Sequence, residues 1–174
     1  MPRKLKWAFV IAIAGAAVYG GTVWATPPSG VVTTIIAVGR FDDIDAKVKT
    51  DIDPSHHKDF WKARITTKGL SDFHVLQNTI APGGTFGWHS HPGPSLVIVQ
   101  SGTLSAYHAP ECTPEDFGPT STLGSTFVDE GHDLHMVRNN STTDVADVYV
   151  VSFVPAGFAR RIDEPNPDVS ICPN

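Results

Sequence analysis

Apolar residues along this chain fall into short runs and alternations that are separated by glycine, proline and polar residues. Short runs rich in β-branched residues predict strands, and the clusters of glycine and proline between them predict turns. The predicted strands are 31–38, 41–49, 73–80, 96–100, 103–107, 125–128, 135–138 and 145–154. Since no stretch of about 12 residues has a helical period, the pattern predicts an all-β sandwich or barrel.

The segments between these strands predict turns and loops. Ser101-Gly102 separates two short strands and favours a tight hairpin between them. The polar segment 51–62 is expected to form a loop or a single helical turn, and 110–122 a long loop. From residue 159 onward three prolines predict an irregular tail. Its acids, Asp163, Glu164 and Asp168, are expected to be solvated, and Arg160-Arg161 could pair with them, which contributes little if the pair is exposed.

The N-terminus has the layout of a secretory signal peptide. Arg3, Lys4 and Lys6 precede an uncharged stretch, 7–39, whose centre is apolar, and small residues precede a cleavage site after Ala25. We therefore predict a signal peptide at 1–25 and export to the periplasm or the extracellular space. The alternative is an uncleaved anchor, because 7–24 is just long enough to span a bilayer.

Two cysteines, Cys112 and Cys172, permit only one internal disulfide. In an oxidising compartment this bond would tie the C-terminal tail to a loop in mid-chain. The alternative is a pair of free thiols in the cytoplasm. Catalysis by Cys112 is disfavoured because its proline-flanked loop contains no group that would activate a thiolate.

Composition restricts the class of protein. Apolar residues make up 41% of the 174 residues and charged residues 18%, which is enough to bury a core and argues against a disordered chain. The chain carries 13 basic and 18 acidic residues with no basic block outside the N-terminus, so nucleic-acid binding is not expected. We predict one domain, 26–174.

Histidines in two segments suggest a metal site. His89 and His91 are two residues apart, so on an extended strand they would share one face and provide half of a transition-metal site. Alone, such a pair is more often a solvated feature of a strand. A second segment, 124–139, adds His132 and His135.

Together these segments resemble the two motifs of the cupin superfamily. The first motif, G-x5-H-x-H-x3-4-E-x6-G, and the second, G-x5-P-x-G-x2-H-x3-N, are matched at Gly83, His89, His91, Gly102, Gly124, His135 and Asn139. The resemblance implies an all-β jelly roll, the double-stranded β-helix barrel, with its core at 72–155 and a metal site inside. It also implies that Asn139 is a structural turn residue.

The departures from these motifs affect the expected ligands. Ser95 stands in the place of the ligand glutamate, Glu130 in that of the proline and His132 in that of the second glycine. The resemblance therefore implies a divalent ion held by His89, His91 and His135 without the carboxylate. Iron, zinc, copper, manganese and nickel all suit such ligands. Ser95 could reach the ion through a water molecule, or Glu130 or His132 could supply the missing ligand. The alternative to a metal site is a metal-free binding barrel.

Two functions follow from the resemblance. The first is a metal-dependent enzyme, dioxygenase-like, that acts on a small organic molecule; no catalytic acid or base is identified. The second is a non-catalytic module that binds a metal or small ligand, and a third is a structural protein without metal. Relatives also suggest a homodimer. The remaining aromatic and histidine side chains are assigned to packing or to the surface, namely Phe86, Trp88, Tyr107, Tyr149, His56, His57, His74 and His108.

Overall fold

Strands make up the regular structure of the protein in a computed structural model that describes residues 25–52 and 60–174. Twelve strands occur in these ranges. The first six are β1 (Ser29–Phe41), β2 (Asp45–Asp51), β3 (Phe60–Thr66), β4 (Ser71–Thr85), β5 (His89–Ser90) and β6 (Ser95–Ser101). The others are β7 (Leu104–His108), β8 (Pro114–Phe117), β9 (Thr126–Asp129), β10 (His135–Arg138), β11 (Ala146–Pro155) and β12 (Ile162–Asp163).

Ten of these strands form one antiparallel sheet that rolls into a nearly closed barrel, while β2 and β3 pair separately. The pairing divides the barrel into two layers. The first layer runs β1, β4, β11, β6, β9, and the second runs β12, β5, β10, β7, β8. The layers join where Arg138 of β10 pairs with Thr85 at the end of β4. The predicted all-β jelly roll is thus confirmed.

The predicted hairpin between 96–100 and 103–107 is wrong. β6 pairs with β9 and β11, whereas β7 pairs with β8 and β10, so the chain crosses from one layer to the other at Gly102. Gly102 has a φ of 74°, and a Cβ there would lie 2.8 Å from the Cα of Ala146. The chain does turn at Gly102, as predicted, but a turn residue does not distinguish a hairpin from a crossover between facing layers.

Other element boundaries differ in detail. The predicted strand 135–138 matches β10, whereas β4 runs past its predicted end at residue 80 to Thr85. β8 lies in the predicted long loop 110–122, and β3 begins inside the predicted loop 51–62. His56, His57 and residues 1–24 of the predicted signal peptide lie outside the described residues. No helix of the described ranges is long and apolar enough to cross a bilayer.

Alternation places the main core between the two layers. In β6 the residues alternate between buried and exposed, as a strand with one face on a core requires. The buried side chains of this core are Ile80, Val97, Val99, Leu104, Ala106, Phe117, Val137, Ala146 and Val148. This core fills one part of the barrel interior and leaves the rest to the polar residues described below.

A second cluster lies where the tail contacts the barrel. It contains Trp88, Tyr107 and Met136 together with Cys112 and Cys172, which form the predicted disulfide. Trp88 is fully buried, and its Nε1 donates a hydrogen bond of 2.9 Å to the carbonyl oxygen of Pro173 in the tail. The predicted packing role of Trp88 is therefore confirmed. The C-terminal segment has little regular structure but docks against the barrel.

Asn139→Ala is expected to lower the free energy of unfolding by about 2–3 kcal/mol. Asn139 is fully buried, and its amide nitrogen donates to the carbonyl oxygens of Ile80 at 3.1 Å, Ala81 at 3.3 Å and Asp144 at 2.7 Å. Alanine would leave these buried carbonyls without that donor. Urea titration measures the loss, with Gln100→Ala as the control because residue 100 carries an amide on the exposed face of β6. Equal losses in the two variants would contradict this role.

Candidate metal centre

Three histidine side chains converge inside the barrel. His135 of β10 is the direct cross-strand partner of His89 of β5, and His91 follows β5 by one residue. The ring centroids are 4.3 Å apart for His89 and His135, 4.8 Å for His89 and His91, and 5.3 Å for His91 and His135. All three are buried, and each offers a ring nitrogen within 4.8 Å of the others. The structure thus brings together the three residues that the sequence singled out.

Backbone carbonyls orient each of these rings. The Nδ1 atoms of His89, His91 and His135 lie 2.8 Å, 2.5 Å and 3.0 Å from the carbonyl oxygens of Gly87, Arg160 and Asp133. Because a carbonyl oxygen only accepts hydrogen bonds, each Nδ1 must carry the proton and donate it. In a neutral ring the Nε2 atom then keeps its lone pair. Such bonds fix the orientation of histidine metal ligands.

Burial keeps these imidazoles neutral. Loss of hydration lowers the pKa of His89 well below its usual value, and the neighbouring His135 and the charge of Arg161 lower it further. Burial likewise lowers the pKa of His91 to about 4 and lowers that of His135. At neutral pH the cluster therefore consists of neutral rings, which is the form that binds metals.

A carboxylate that the sequence analysis missed completes the cluster. Asp129 of β9 lies directly opposite Ser95 of β6 across the strand pair. Its Oδ2 lies 3.3 Å from Nε2 of His91 and 3.6 Å from Nε2 of His135. Oδ1 accepts a hydrogen bond from the Gly131 amide at 3.0 Å, whereas the buried Oδ2 has no hydrogen-bond partner among the described residues.

The structure shows where the three residues that depart from the cupin motifs lie. Ser95 lines the site, but its hydroxyl lies 3.1 Å from that of Ser152 in a buried hydrogen bond. Glu130 and His132 are exposed, so neither supplies the fourth ligand. His132 adopts a φ of 57° at the motif's glycine position, and its amide donates to the carbonyl oxygen of His91 at 2.7 Å. The carboxylate that lies beside the histidines is instead that of Asp129.

These four side chains fit a divalent cation. Three neutral rings each place a nitrogen within 4.8 Å of the others, and a buried carboxylate oxygen without a hydrogen-bond partner among the described residues lies beside two of them. Without a cation this arrangement places several lone pairs and one negative charge close together among buried side chains, which is unfavourable. A cation would satisfy all of them at once. The set of nitrogen and carboxylate ligands suits iron, zinc, copper, manganese or nickel.

The histidines open onto a cavity of about 50 Å³. Its far wall is apolar and includes Val97, Leu104 and Phe127. Arg160 and Arg161 from the tail also line it. The pairing of β12 with β5 draws this part of the tail over the site. Arg161 pairs with one of the tail acids, with its Nε 2.6 Å from Oδ1 of Asp163.

The remaining side chains lie mostly as expected. His108 is partly exposed, with Nδ1 at 2.6 Å from Oδ2 of Asp133, and its ring is 6.0 Å from that of His135. His74 is partly buried. Phe86 packs against the main core and also lines the cavity. Tyr107 is buried, and its hydroxyl accepts a hydrogen bond from Asn140 at 2.8 Å.

Comparison with known proteins finds similar folds among solved structures only. No protein-family model and no curated protein matches the chain. A cupin superfamily protein from Desulfitobacterium hafniense is 11% identical over 47% of this chain and 67% of its own, with a TM-score of 0.40. A cupin-2 domain from Rhodospirillum rubrum is 11% identical over 83% of this chain and 72% of its own, with a TM-score of 0.49.

Oxalate oxidase is a further similar structure, with 21% identity over 48% of this chain and a TM-score of 0.39. The match covers 46% of the oxalate oxidase chain, so it spans about half the length of that protein. The fold itself rests on this chain's own features. The histidines of both motifs meet inside a nearly closed antiparallel barrel, as the resemblance implies. The chain thus has the all-β jelly-roll fold that the resemblance to cupins implies.

Proposed function

We propose that the protein binds one divalent transition-metal ion through Nε2 of His89, His91 and His135, with Oδ2 of Asp129 as the fourth ligand. The observation that carries this proposal is the unpartnered, buried Oδ2 beside two of three convergent imidazoles. When bound, the ion would act as a Lewis acid that orients and polarises a small molecule.

We propose further that this centre serves a metal-dependent enzyme, dioxygenase-like in its ligand set, that acts on a small organic molecule. The residues of this chain would do three things. The backbone carbonyls hold the histidine rings, the apolar wall at Val97, Leu104 and Phe127 excludes water, and the cavity leaves room beside the ligands. Room beside the ligands favours an open coordination position.

The alternative is a non-catalytic module that binds a metal ion. It is favoured by Asp129, since four protein ligands are sufficient to close a tetrahedral site. Azide distinguishes the two functions when it is added to cobalt-loaded protein, because cobalt(II) spectra respond to a new ligand. A change in the visible spectrum supports an open position and hence the enzyme. An unchanged spectrum supports the closed binder.

Export remains a proposal for the mature domain, 26–174. The Cys112–Cys172 disulfide is compatible with an oxidising compartment, periplasmic or extracellular. If the signal peptide is cleaved, the N-terminal segment no longer attaches the protein to a membrane. If it is not cleaved, this segment anchors the protein. Mass spectrometry of the N-terminus of protein made by its native host distinguishes these outcomes. The homodimer also stays a prediction, tested by light scattering.

The direct test of the proposed function is elemental analysis of the full chain purified from its native host. We expect one transition-metal ion per chain, removed by a chelator and restored by adding that metal. A protein that holds no stoichiometric ion, even after exposure to iron, manganese, cobalt, nickel, copper and zinc in turn, would contradict the proposal.

Asp129→Asn tests the fourth ligand. The variant keeps the size of the side chain but replaces the charged ligand with a neutral amide. We expect the metal affinity to fall by more than about 100-fold, because loss of a ligand costs more than loss of a group that supports one. In the metal-free protein the same change should raise the free energy of unfolding by about 1 kcal/mol, since an amide can donate to Nε2 of His91 where the carboxylate cannot. Chelator competition and urea titration measure these quantities.

Glu130→Gln is the matched control, because it removes the adjacent carboxylate, which is exposed. We expect it to leave both the metal affinity and the stability of the metal-free protein near the wild-type values. If Asp129→Asn and Glu130→Gln behave alike in both measurements, Asp129 is not a ligand.

A further inference from the structure

The two terminal nitrogens of Arg161 have no hydrogen-bond acceptor among the described residues. Its Nε lies 2.6 Å from Oδ1 of Asp163, which accounts for one of the five N–H groups of the guanidinium. The other four are on Nη1 and Nη2, and both atoms are buried without a hydrogen-bond partner among the described residues. The side chain as a whole is only 14% exposed and lines the cavity beside the histidines. Burying unpaired charged donors is unfavourable, so the site is built for an acceptor that binds there.

Asp129 does not supply that acceptor. Its Oδ2 lines the same cavity and is likewise buried and unpartnered, yet the two groups form no hydrogen bond or ion pair among the described residues. Two unsatisfied groups of opposite charge therefore line one small space without neutralising each other. The Asp129 oxygen lies against the imidazole nitrogens and suits a cation, whereas the Arg161 guanidinium suits an anion.

The tail is fixed so that this guanidinium stays at the site. The carbonyl oxygen of Arg160 accepts the hydrogen bond from Nδ1 of His91, and Asp163 pairs with His89 across β12 and β5. Glu164 accepts a hydrogen bond from the hydroxyl of Ser90 at 3.2 Å. The segment that positions the histidine rings is thus the same segment that carries the arginines.

We propose that Nη1 and Nη2 of Arg161 bind the carboxylate of a small organic acid, which is the ligand or substrate class of this cavity. The geometry favours a carboxylate because its two oxygens match the two terminal nitrogens of a guanidinium in a bidentate pair. This assignment deepens the proposed function and rests on it for the ion that the acid would face.

Charge and size support the same class of ligand. The guanidiniums of Arg160 and Arg161 balance the carboxylates of Asp129 and Asp163, so a bound divalent ion would leave the site with a surplus of positive charge. A single carboxylate reduces that surplus. The cavity of about 50 Å³ limits the buried part of the acid to a few non-hydrogen atoms, and its apolar wall suits a short hydrocarbon part.

The test uses acetate as the probe and acetamide as its uncharged analogue. Binding to the full chain is followed by NMR chemical-shift titration, in the metal-free and in the zinc-loaded protein. We expect acetate, but not acetamide, to bind both forms and to bind the zinc-loaded form more tightly. Arg161→Gln should weaken acetate binding by about 10- to 100-fold in both forms, since a hydrogen-bonded charge pair is lost.

Arg161→Lys should retain part of the affinity, because it keeps the charge but loses the fork of two nitrogens. Arg64→Gln is the matched control, since it removes an equal charge from the exposed side of β3 and should leave acetate binding unchanged. The NMR spectrum of each variant must first show that it is folded. If Arg161→Gln does not fold, Arg161→Lys takes its place in the comparison.

The outcomes separate this proposal from the proposed metal function. If no metal binds but acetate still binds in an Arg161-dependent way, the metal function fails and the carboxylate site stands. If acetate binds neither form, or binds both Arg161→Gln and Arg64→Gln as tightly as the wild-type protein, the carboxylate site is overturned whatever the metal result.

Discussion

His135→Ala is expected to weaken metal binding by more than about 100-fold while the barrel stays folded. Loss of a group that only supports a ligand costs about 10- to 100-fold in metal affinity, and loss of a ligand costs more. His135 contributes one of the three nitrogens and is the cross-strand partner of His89, so its removal leaves only two nitrogen ligands at the site.

The barrel tolerates this change because the imidazole contributes little to its stability. Burial lowers the pKa of His135, so the ring is already neutral, and its one hydrogen bond, from Nδ1 to the carbonyl oxygen of Asp133, is local. We expect the free energy of unfolding of the metal-free variant to lie within about 1 kcal/mol of wild type. Chelator competition measures the affinity, and circular dichroism monitors the fold.

His108→Ala is the matched control. Its ring lies 6.0 Å from that of His135, but its Nδ1 is bonded to Asp133 and its side chain is partly exposed. Removing the His108 ring should change the metal affinity by less than about threefold, because this ring is not a proposed ligand and would affect the ion only through screened electrostatics. Metal retained at wild-type affinity by His135→Ala would exclude the three-histidine centre.

Opening the disulfide is expected to cost about 4 kcal/mol of stability. Cys112 and Cys172 are 60 residues apart, and a closed loop of that length removes about this much free energy from the unfolded chain. The bond also holds the tail against Trp88, Tyr107 and Met136. The double variant Cys112→Ser, Cys172→Ser should therefore unfold at lower urea concentration, as measured by tryptophan fluorescence.

Wild-type protein in the presence of a reductant provides the control for this variant. Both samples lack the cross-link but differ in the side chains, so agreement between them assigns the loss to the bond itself. We also expect both to bind acetate more weakly than oxidised wild type, because the tail carries Arg161. An unchanged unfolding midpoint in both samples would mean that the tail stays docked without the bond.

The sequence predicts the barrel well because its signals are local. Alternation and β-branched runs predict strands one at a time, and β10 has the predicted bounds. His89, His91 and His135 were found because two motifs fix their spacing to glycines. The crossover at Gly102 was missed because a turn residue says nothing about which layer the next strand joins.

The missed parts of the site depend on contacts between distant segments. In the sequence Ser95 is a lost ligand, and Asp129 belongs to no motif. Only the register of β6 and β9 places the two residues opposite each other. From the sequence, Arg160 and Arg161 are interpreted only as partners of nearby acids in an irregular tail. Only the pairing of β12 with β5 and the docking of the tail bring them to the cavity.

The direct pairing of His135 with His89 has a consequence for how the barrel assembles. If β10 slid by one residue along β5, Leu134 or Met136 would take the inward position and the imidazole would turn away. A misaligned barrel would then lack the nitrogen ligands, while the correctly aligned one retains them. An ion available during assembly would therefore stabilise one alignment alone and select it from its neighbours by mass action.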